Sequence, residues 1–173
     1  MLTASRLILF VLTLGIFAMP VFAQSNPKVI GEYRAWLAHT YKGSCYISSR
    51  PVESTTEPKN VQRGAIHFLV THNQGGRVKD EVSIYTGYTY KKGSVTLAID
   101  GQDFGKRGDL FTDRDSAWAR DAETDRKLVQ AMVRGNSMVV RGTSSRGTLT
   151  IDTYSLSGFT AARNAINKAC KVR

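Results

Sequence analysis

The sequence lacks most of the features that identify a protein's chemistry at sight. Its 173 residues include only two cysteines, four prolines and three histidines. It contains no G-x-S-x-G, S-x-x-K, H-E-x-x-H or C-x-x-C motif and no internal repeat. Asp109, Asp113 and Asp115 do not form an EF-hand, because the required glycine and terminal glutamate are missing. We therefore predict no cofactor, no metal site and no catalytic residues.

Acidic residues are scarce relative to basic ones. The chain has 24 Lys plus Arg against 14 Asp plus Glu, a formal net charge of +10. Such a charge attracts a protein to anionic surfaces, so we expect anionic envelope or host-cell surface components as partners. The basic residues are dispersed, however, and only Lys91-Lys92 and Lys106-Arg107 are adjacent. A role of the charge in solubility alone is therefore the alternative.

The chain has one long apolar run, and it lies near the start. Arg6 precedes the apolar segment Leu7–Ala18, and Pro20 and Val21-Phe22-Ala23 follow it. This order is typical of a secretory signal, whereas a membrane anchor needs about 20 apolar residues. We predict a signal peptide over residues 1–23 and a single domain over 24–173. Its removal takes away Arg6 and no acid, which lowers the charge from +10 to +9.

The predicted signal also sets the location and the partners. The mature chain has no second apolar run of spanning length, so we expect no transmembrane span after cleavage. The protein is then periplasmic or secreted, or associated peripherally with the outer membrane. Nucleic acid is not an expected partner in these compartments.

Cys45 and Cys170 both follow the predicted signal. An even number of cysteines in an oxidising compartment favours a disulfide, and two separate buried thiols are the alternative. Cys170 shares one face of a predicted C-terminal helix, because the apolar residues follow spacings of three, four and four. These residues are Phe159, Ala162, Ile166 and Cys170. A bridge from this buried face to a strand holding Cys45 is feasible.

The remaining pattern predicts many short strands joined by glycine-containing turns. Two pairs of segments read as β-hairpins, namely Ala65–Thr71 with Val82–Thr86 and Ser137–Arg141 with Thr148–Thr153. We expect a mid-chain helix over Asp125–Arg134 with Thr124 as its cap. Ser157 is expected to cap the C-terminal helix. The leader Gln24–Gly31 is expected to be loose. We predict a mainly β fold, an antiparallel β-sandwich or partly open barrel with the mid-chain helix and the C-terminal helix packed on it.

The side chains that could carry chemistry also have structural interpretations. Ser144 and Ser145 adjoin Arg146 in a predicted hairpin loop, but no base accompanies them. His67 and His72 are five residues apart, so one strand would place them on opposite faces. Tyr85, Tyr88 and Tyr90 adjoin Lys91-Lys92, which allows a sugar- or partner-binding surface or simple hairpin packing. The acids of residues 109–125 alternate with arginines, as on a solvated surface. A small periplasmic hydrolase or carbohydrate-active enzyme using these carboxylates is the alternative function.

Several short motifs, in this order, resemble the invasion-associated locus B family of the Gram-negative envelope. They are Trp36, Cys45-Tyr46-Ile47-Ser48, Arg63-Gly64, Asp100-Gly101, Ala117-Trp118, Leu128–Gly135, Ser144–Thr148, Asp152–Phe159, Ala161-Ala162 and Cys170. The resemblance implies an exported β-rich protein whose relatives are linked by name to host-cell invasion. It offers no catalytic motif to transfer. With the charge and the predicted bridge, it favours a non-catalytic envelope protein that supports envelope integrity or host-cell interaction.

Overall fold

The computed structural model of the chain describes residues 26–104 and 108–172. The predicted signal peptide, residues 1–23, and its cleavage point lie outside the described residues. The described strands and helices have the following bounds: β1 Lys28–Tyr33, β2 Trp36–Tyr41, β3 Ser44–Ser49, β4 Glu53–Glu57, β5 His67–Asn73, β6 Glu81–Tyr85, β7 Thr96–Ile99, β8 Gln102–Phe104, β9 Leu110–Asp113, β10 Ser116–Ala119, α1 Ala122–Arg134, β11 Ser137–Thr143, β12 Leu149–Ser155 and α2 Phe159–Cys170.

The strands form two antiparallel sheets that share one hydrophobic core. The order of the seven-stranded sheet is β1-β2-β3-β5-β6-β10-β9, and that of the five-stranded sheet is β4-β12-β11-β7-β8. The two predicted hairpins are β5–β6 and β11–β12. The predicted mainly β fold with two helices is therefore confirmed, and the sheets do not close into a barrel.

Strict alternation of side chains builds the core from both sheets. In β3, β5 and β12 every second residue is buried, because successive side chains in a strand point to opposite faces. Trp36 lies at the centre with its ring centroid 5.0 Å from Phe159 and 6.2 Å from Phe68. Its indole Nε1–H donates to the Ser155 carbonyl at 3.0 Å, so the buried polar atom is satisfied.

Helix α2 packs on the core side of β1, β2, β3 and β5. It buries the four residues that the spacing predicts, Phe159, Ala162, Ile166 and Cys170. Cys170 forms a disulfide with Cys45 of β3, with the two Cα atoms 5.9 Å apart and a sequence separation of 125. The predicted bridge is thus present, and it fastens the last turn of the chain's final helix to an early strand.

Three predicted element ends are wrong, each for a local reason. The leader up to Gly31 is not loose, because main-chain hydrogen bonds to β2 make Lys28–Tyr33 an edge strand. Helix α1 starts before Thr124, since the Asp121 carboxylate accepts the Thr124 N–H at 2.8 Å and caps the helix. Gly158, not Ser157, precedes α2 with φ at 91°. A Cβ there would lie 2.0 Å from the Tyr33 carbonyl oxygen, so only glycine fits.

Candidate functional site

A buried arginine–aspartate pair lies between the two sheets. Arg63, which precedes β5, and Asp152 of β12 form two parallel bonds, Nη1–Oδ1 at 2.7 Å and Nη2–Oδ2 at 2.8 Å. Their side chains are 6% and 1% exposed. The Thr86 carbonyl accepts from Arg63 Nε at 3.1 Å. Ser54 Oγ of β4 accepts from Arg63 Nη1 at 3.0 Å and donates to Asp152 Oδ1 at 2.6 Å. These bonds fix the guanidinium in one orientation.

The alternation of β12 explains why this pair exists. Asp152 lies on the same inward face as Thr150 and Tyr154, and an unpaired carboxylate there would cost several kcal/mol. Burial by itself would lower the pKa of Arg63, but its hydrogen bonds to Asp152 and the charge of that carboxylate raise it. The guanidinium therefore stays charged, and the pair is a permanent structural contact, unsuited to acid–base chemistry.

Tyrosine side chains surround the pair. The Tyr88 ring centroid lies 5.1 Å from the Arg63 guanidinium carbon, and the Tyr88 hydroxyl bonds Thr150 Oγ1 at 2.7 Å. The buried hydroxyls of Tyr90 and Tyr154 have no hydrogen-bond partner in the described ranges, and burial raises the pKa of both. Tyr85 does not join them, because it lies on the opposite face of β6 from Ile84 and contacts Trp118. The fold thus splits the tyrosine cluster seen in the sequence.

The chain segment after β6 positions these tyrosines as it crosses between the sheets. The Tyr90 N–H donates to the Arg114 carbonyl at 2.7 Å, and the Lys91 N–H donates to the Thr143 carbonyl at 2.7 Å. Gly87 has φ at 70° and packs directly on Gly64, whose carbonyl carbon would lie 2.4 Å from a Cβ at position 87. Glycine at 87 therefore brings Tyr88 and Arg63 together.

A polar pocket of about 350 Å³ opens above the pair. Arg63, Tyr88 and Thr150 line it, and all three are held by the hydrogen bonds given above. The β11–β12 turn forms the facing wall, where Ser144 Oγ accepts the main-chain N–H groups of Arg146 and Thr148 at 3.3 and 3.1 Å. Serine hydroxyls commonly fix turns in this way. The pocket's other polar side chains come from Gln62, Thr89, Ser145, Arg146 and Thr148.

Three acids of residues 109–125 are held by local contacts. Asp121 caps α1, and its hydrogen bond from the Thr124 N–H lowers its pKa. The bond to Lys127 lowers the pKa of Glu123. Burial raises the pKa of Asp125 to about 6, but its carboxylate accepts the Val82 N–H at 2.8 Å. The expectation of a wholly solvated acidic surface is wrong at Asp125, which is 7% exposed.

An open cleft lies beside these acids. Asp109, Asp121 and Glu123 line it, and its volume is about 740 Å³. A general acid needs a carboxyl whose pKa is raised towards neutrality. Asp125 has such a pKa, but it is not among the residues that line the cleft.

The histidines serve the packing. His67 and His72 lie on opposite faces of β5, as predicted. His72 is fully buried, and its Nδ1 accepts the Asp80 N–H at 2.9 Å. Arg163 of α2 holds the Asp80 carboxylate with two bonds of 2.7 Å. The His39 ring stacks on Tyr46. Across residues 26–104 and 108–172, no three His, Cys, Asp or Glu side chains gather as a metal site.

Sequence reasoning did not find the contact between Arg63 and Asp152. The two residues are 89 positions apart, and neither belongs to a recognised catalytic motif. One usable signal exists, because an acid at an inward position of an alternating strand stays ionised only if a cationic or hydrogen-bonding partner is buried with it. Arg63-Gly64, Ser144–Thr148 and Asp152–Phe159 carry the family resemblance in the sequence, and all three contribute to the pocket or the ion pair below it.

Comparisons with known proteins give one match. The family model described as "Invasion associated locus B (IalB) protein" matches residues 38–167, most of the chain and all of the pocket. No curated protein and no solved structure matches the chain. Neither helix in the described part of the chain is long and apolar enough to cross a membrane.

Proposed function

The chain belongs to the invasion associated locus B family, and on that basis we propose that it is an exported, non-catalytic envelope protein. It supports envelope integrity or host-cell interaction by binding anionic surface components. Residues 1–23 direct export and are removed, and residues 24–173 form a single domain. The protein acts in the periplasm, on the outer membrane as a peripheral protein, or after secretion.

The Cys45–Cys170 disulfide is the observation that carries this proposal. Structural disulfides form and persist in oxidising compartments and are rare in the cytosol. Both cysteines are 1% exposed, which suits a permanent bond better than thiol exchange. The bridge therefore agrees with a leader that carries the chain out of the cytosol.

Several ionisable side chains form ion pairs inside the fold, which supports a binding role over catalysis. Arg63 with Asp152 and Arg163 with Asp80 form bidentate pairs inside the fold. A catalytic acid or base must instead exchange its proton with a bound reactant. The alternative, a hydrolase using the acids of the open cleft, would lose its activity in Asp121→Asn or Glu123→Gln. A substrate panel with both variants separates the two functions.

Cell fractionation tests the proposal. The chain with a C-terminal tag is expressed in a Gram-negative host, and its location, intact mass and free thiols are measured. We expect it in the periplasmic or outer-membrane fraction, starting at Gln24 and without free thiols after unfolding in the absence of reductant. A Cys45→Ala/Cys170→Ala variant tests whether export itself depends on the bridge. Cytoplasmic protein that retains Met1 and has two titratable thiols would refute the proposal.

A further inference from the structure

The pocket above Arg63 has a wall that the fold holds rigidly. The Arg63 guanidinium is fixed by Asp152, Ser54 and the Thr86 carbonyl. The hydroxyl pair of Tyr88 and Thr150 is closed by a 2.7 Å hydrogen bond. A binding surface held in this way loses little conformational entropy when a ligand arrives.

Five further polar side chains line the pocket without being engaged elsewhere. Gln62, Thr89, Ser145, Arg146 and Thr148 line the pocket, and their side chains make no hydrogen bond or ion pair with any residue of the described ranges. Together these residues bring one amide, three hydroxyls and one guanidinium to the lining of one small pocket. Such a set can donate and accept several hydrogen bonds at once.

The charge of the pocket defines the ligand further. Arg63 is neutralised by Asp152 at 2.7 Å, whereas Arg146 is exposed and has no partner among the described residues. The pocket therefore offers one uncompensated positive charge, which matches a single carboxylate. Its volume of about 350 Å³ is at the small end of ligand pockets, so it accommodates a sugar ring rather than a folded partner.

We propose that this pocket binds one carboxylate-bearing sugar residue of an anionic surface glycan. The carboxylate pairs with Arg146, and the sugar hydroxyls bond Gln62, Thr89, Ser145 and Thr148. This inference rests on the proposed function, because it names the anionic component that the exported protein contacts. Envelope and host surfaces both carry acidic sugars, so the shared chemistry is an acidic sugar ring.

Nuclear magnetic resonance titration of the mature, disulfide-bonded protein tests this inference. Ketodeoxyoctulosonic acid represents the bacterial envelope, N-acetylneuraminic acid represents host glycans, and D-glucose is the neutral control. We expect millimolar binding of at least one acid, with shifts centred on Tyr88, Ser145 and Thr148, and no binding of glucose. The acid that binds identifies the source of the glycan.

Two variants make the test specific. Arg146→Gln removes the unpaired charge from an exposed turn, and we expect it to weaken acid-sugar binding about tenfold or more. Arg134→Gln makes the same change in charge on α1, outside the pocket, and should leave binding unchanged. A Ser145→Ala/Thr148→Ala variant removes two hydroxyls without changing the charge and should also weaken binding. Thermal melts confirm that each variant is folded.

The outcomes separate this inference from the proposed function. No binding of either acid at millimolar concentration, or equal weakening by Arg146→Gln and Arg134→Gln, would overturn the pocket assignment. In that case export and salt-sensitive binding to envelope fractions could still hold, and the proposed function would survive. A cytoplasmic location would remove the proposed function whatever the pocket binds.

Discussion

Removing the disulfide should lower the stability of the fold by a predictable amount. The Cys45–Cys170 bridge closes a loop of 125 residues, and the loop-closure relation gives about 5 kcal/mol of stabilisation for a loop of this length. For a domain of this size each kcal/mol shifts the melting temperature by about 2–4 °C. The Cys45→Ala/Cys170→Ala variant should therefore melt about 10–20 °C below the oxidised wild type.

The structure also predicts which part of α2 unfolds first when the disulfide is removed. The early turns of α2 keep their own anchors, since Phe159 and Ile166 are buried and Arg163 pairs with Asp80. The last turn is held by Cys170, so hydrogen exchange and proteolysis should increase near Lys168 and Lys171 before they increase near Phe159.

Thermal unfolding followed by circular dichroism, with and without reductant, provides the assay. Cys45→Ala, Cys170→Ala and the double variant break the same bond, so all three should melt together with the reduced wild type. A double variant that melts within about 3 °C of the oxidised protein would refute the reasoning, given the size expected for a long loop. Uniform loss of protection along α2 would refute the predicted order of events.

Three further perturbations follow from the buried ionisable groups. Arg63→Met leaves Asp152 buried without a cation and should lower the free energy of unfolding, measured with urea, by about 3–5 kcal/mol. Adding Asp152→Leu should recover much of this loss. Full additivity of the two changes would contradict the pairing. Burial raises the pKa of Asp125 to about 6, so the folded protein favours the protonated carboxyl. The cost of Asp125 to the stability of the fold therefore grows as the pH rises from 3.8 through 6. Asp125→Asn keeps an acceptor for the Val82 N–H and should stabilise the protein at pH 7 by up to about 3 kcal/mol, a gain that must vanish near pH 3. Burial lowers the pKa of His72 below its ordinary 6.5. The contribution of neutral His72 to the free energy of unfolding is therefore complete above pH 6.5 and is lost as the pH falls below that value. His72→Asn should flatten this part of the pH–stability profile, and an unchanged profile would contradict the assignment.

The C-terminal helix was predictable because its sequence signal is local. Phe159, Ala162, Ile166 and Cys170 repeat at helical spacing, and the structure buries these four. The hairpins were predictable for the same reason, since alternation and turn residues lie within a few positions of each other. The helix caps were not, because Asp121 and Thr124 are both good capping residues and the first turn has no apolar period to mark its start.

The candidate pocket could not be derived in this way. Its ion pair joins residues 89 positions apart, and its shape depends on Gly64 and Gly87 meeting at main-chain distance. Neither fact has a local signature. The sequence predicts Ser144–Arg146 only as a turn, and that interpretation is correct. What the sequence does not show is that the turn faces a fixed arginine and a fixed tyrosine from the segments before β5 and after β6.

Sedimentation of the mature, disulfide-bonded protein with isolated outer-membrane fractions tests the central claim most directly. The measurement compares binding at about 10 mM and about 150 mM salt, between which the screening length falls from about 30 Å to about 8 Å. Binding to anionic surface components predicts that the protein sediments with the membranes at low salt and is largely released at the higher concentration. Absence of binding at low salt, or binding that salt does not change, would contradict the claim.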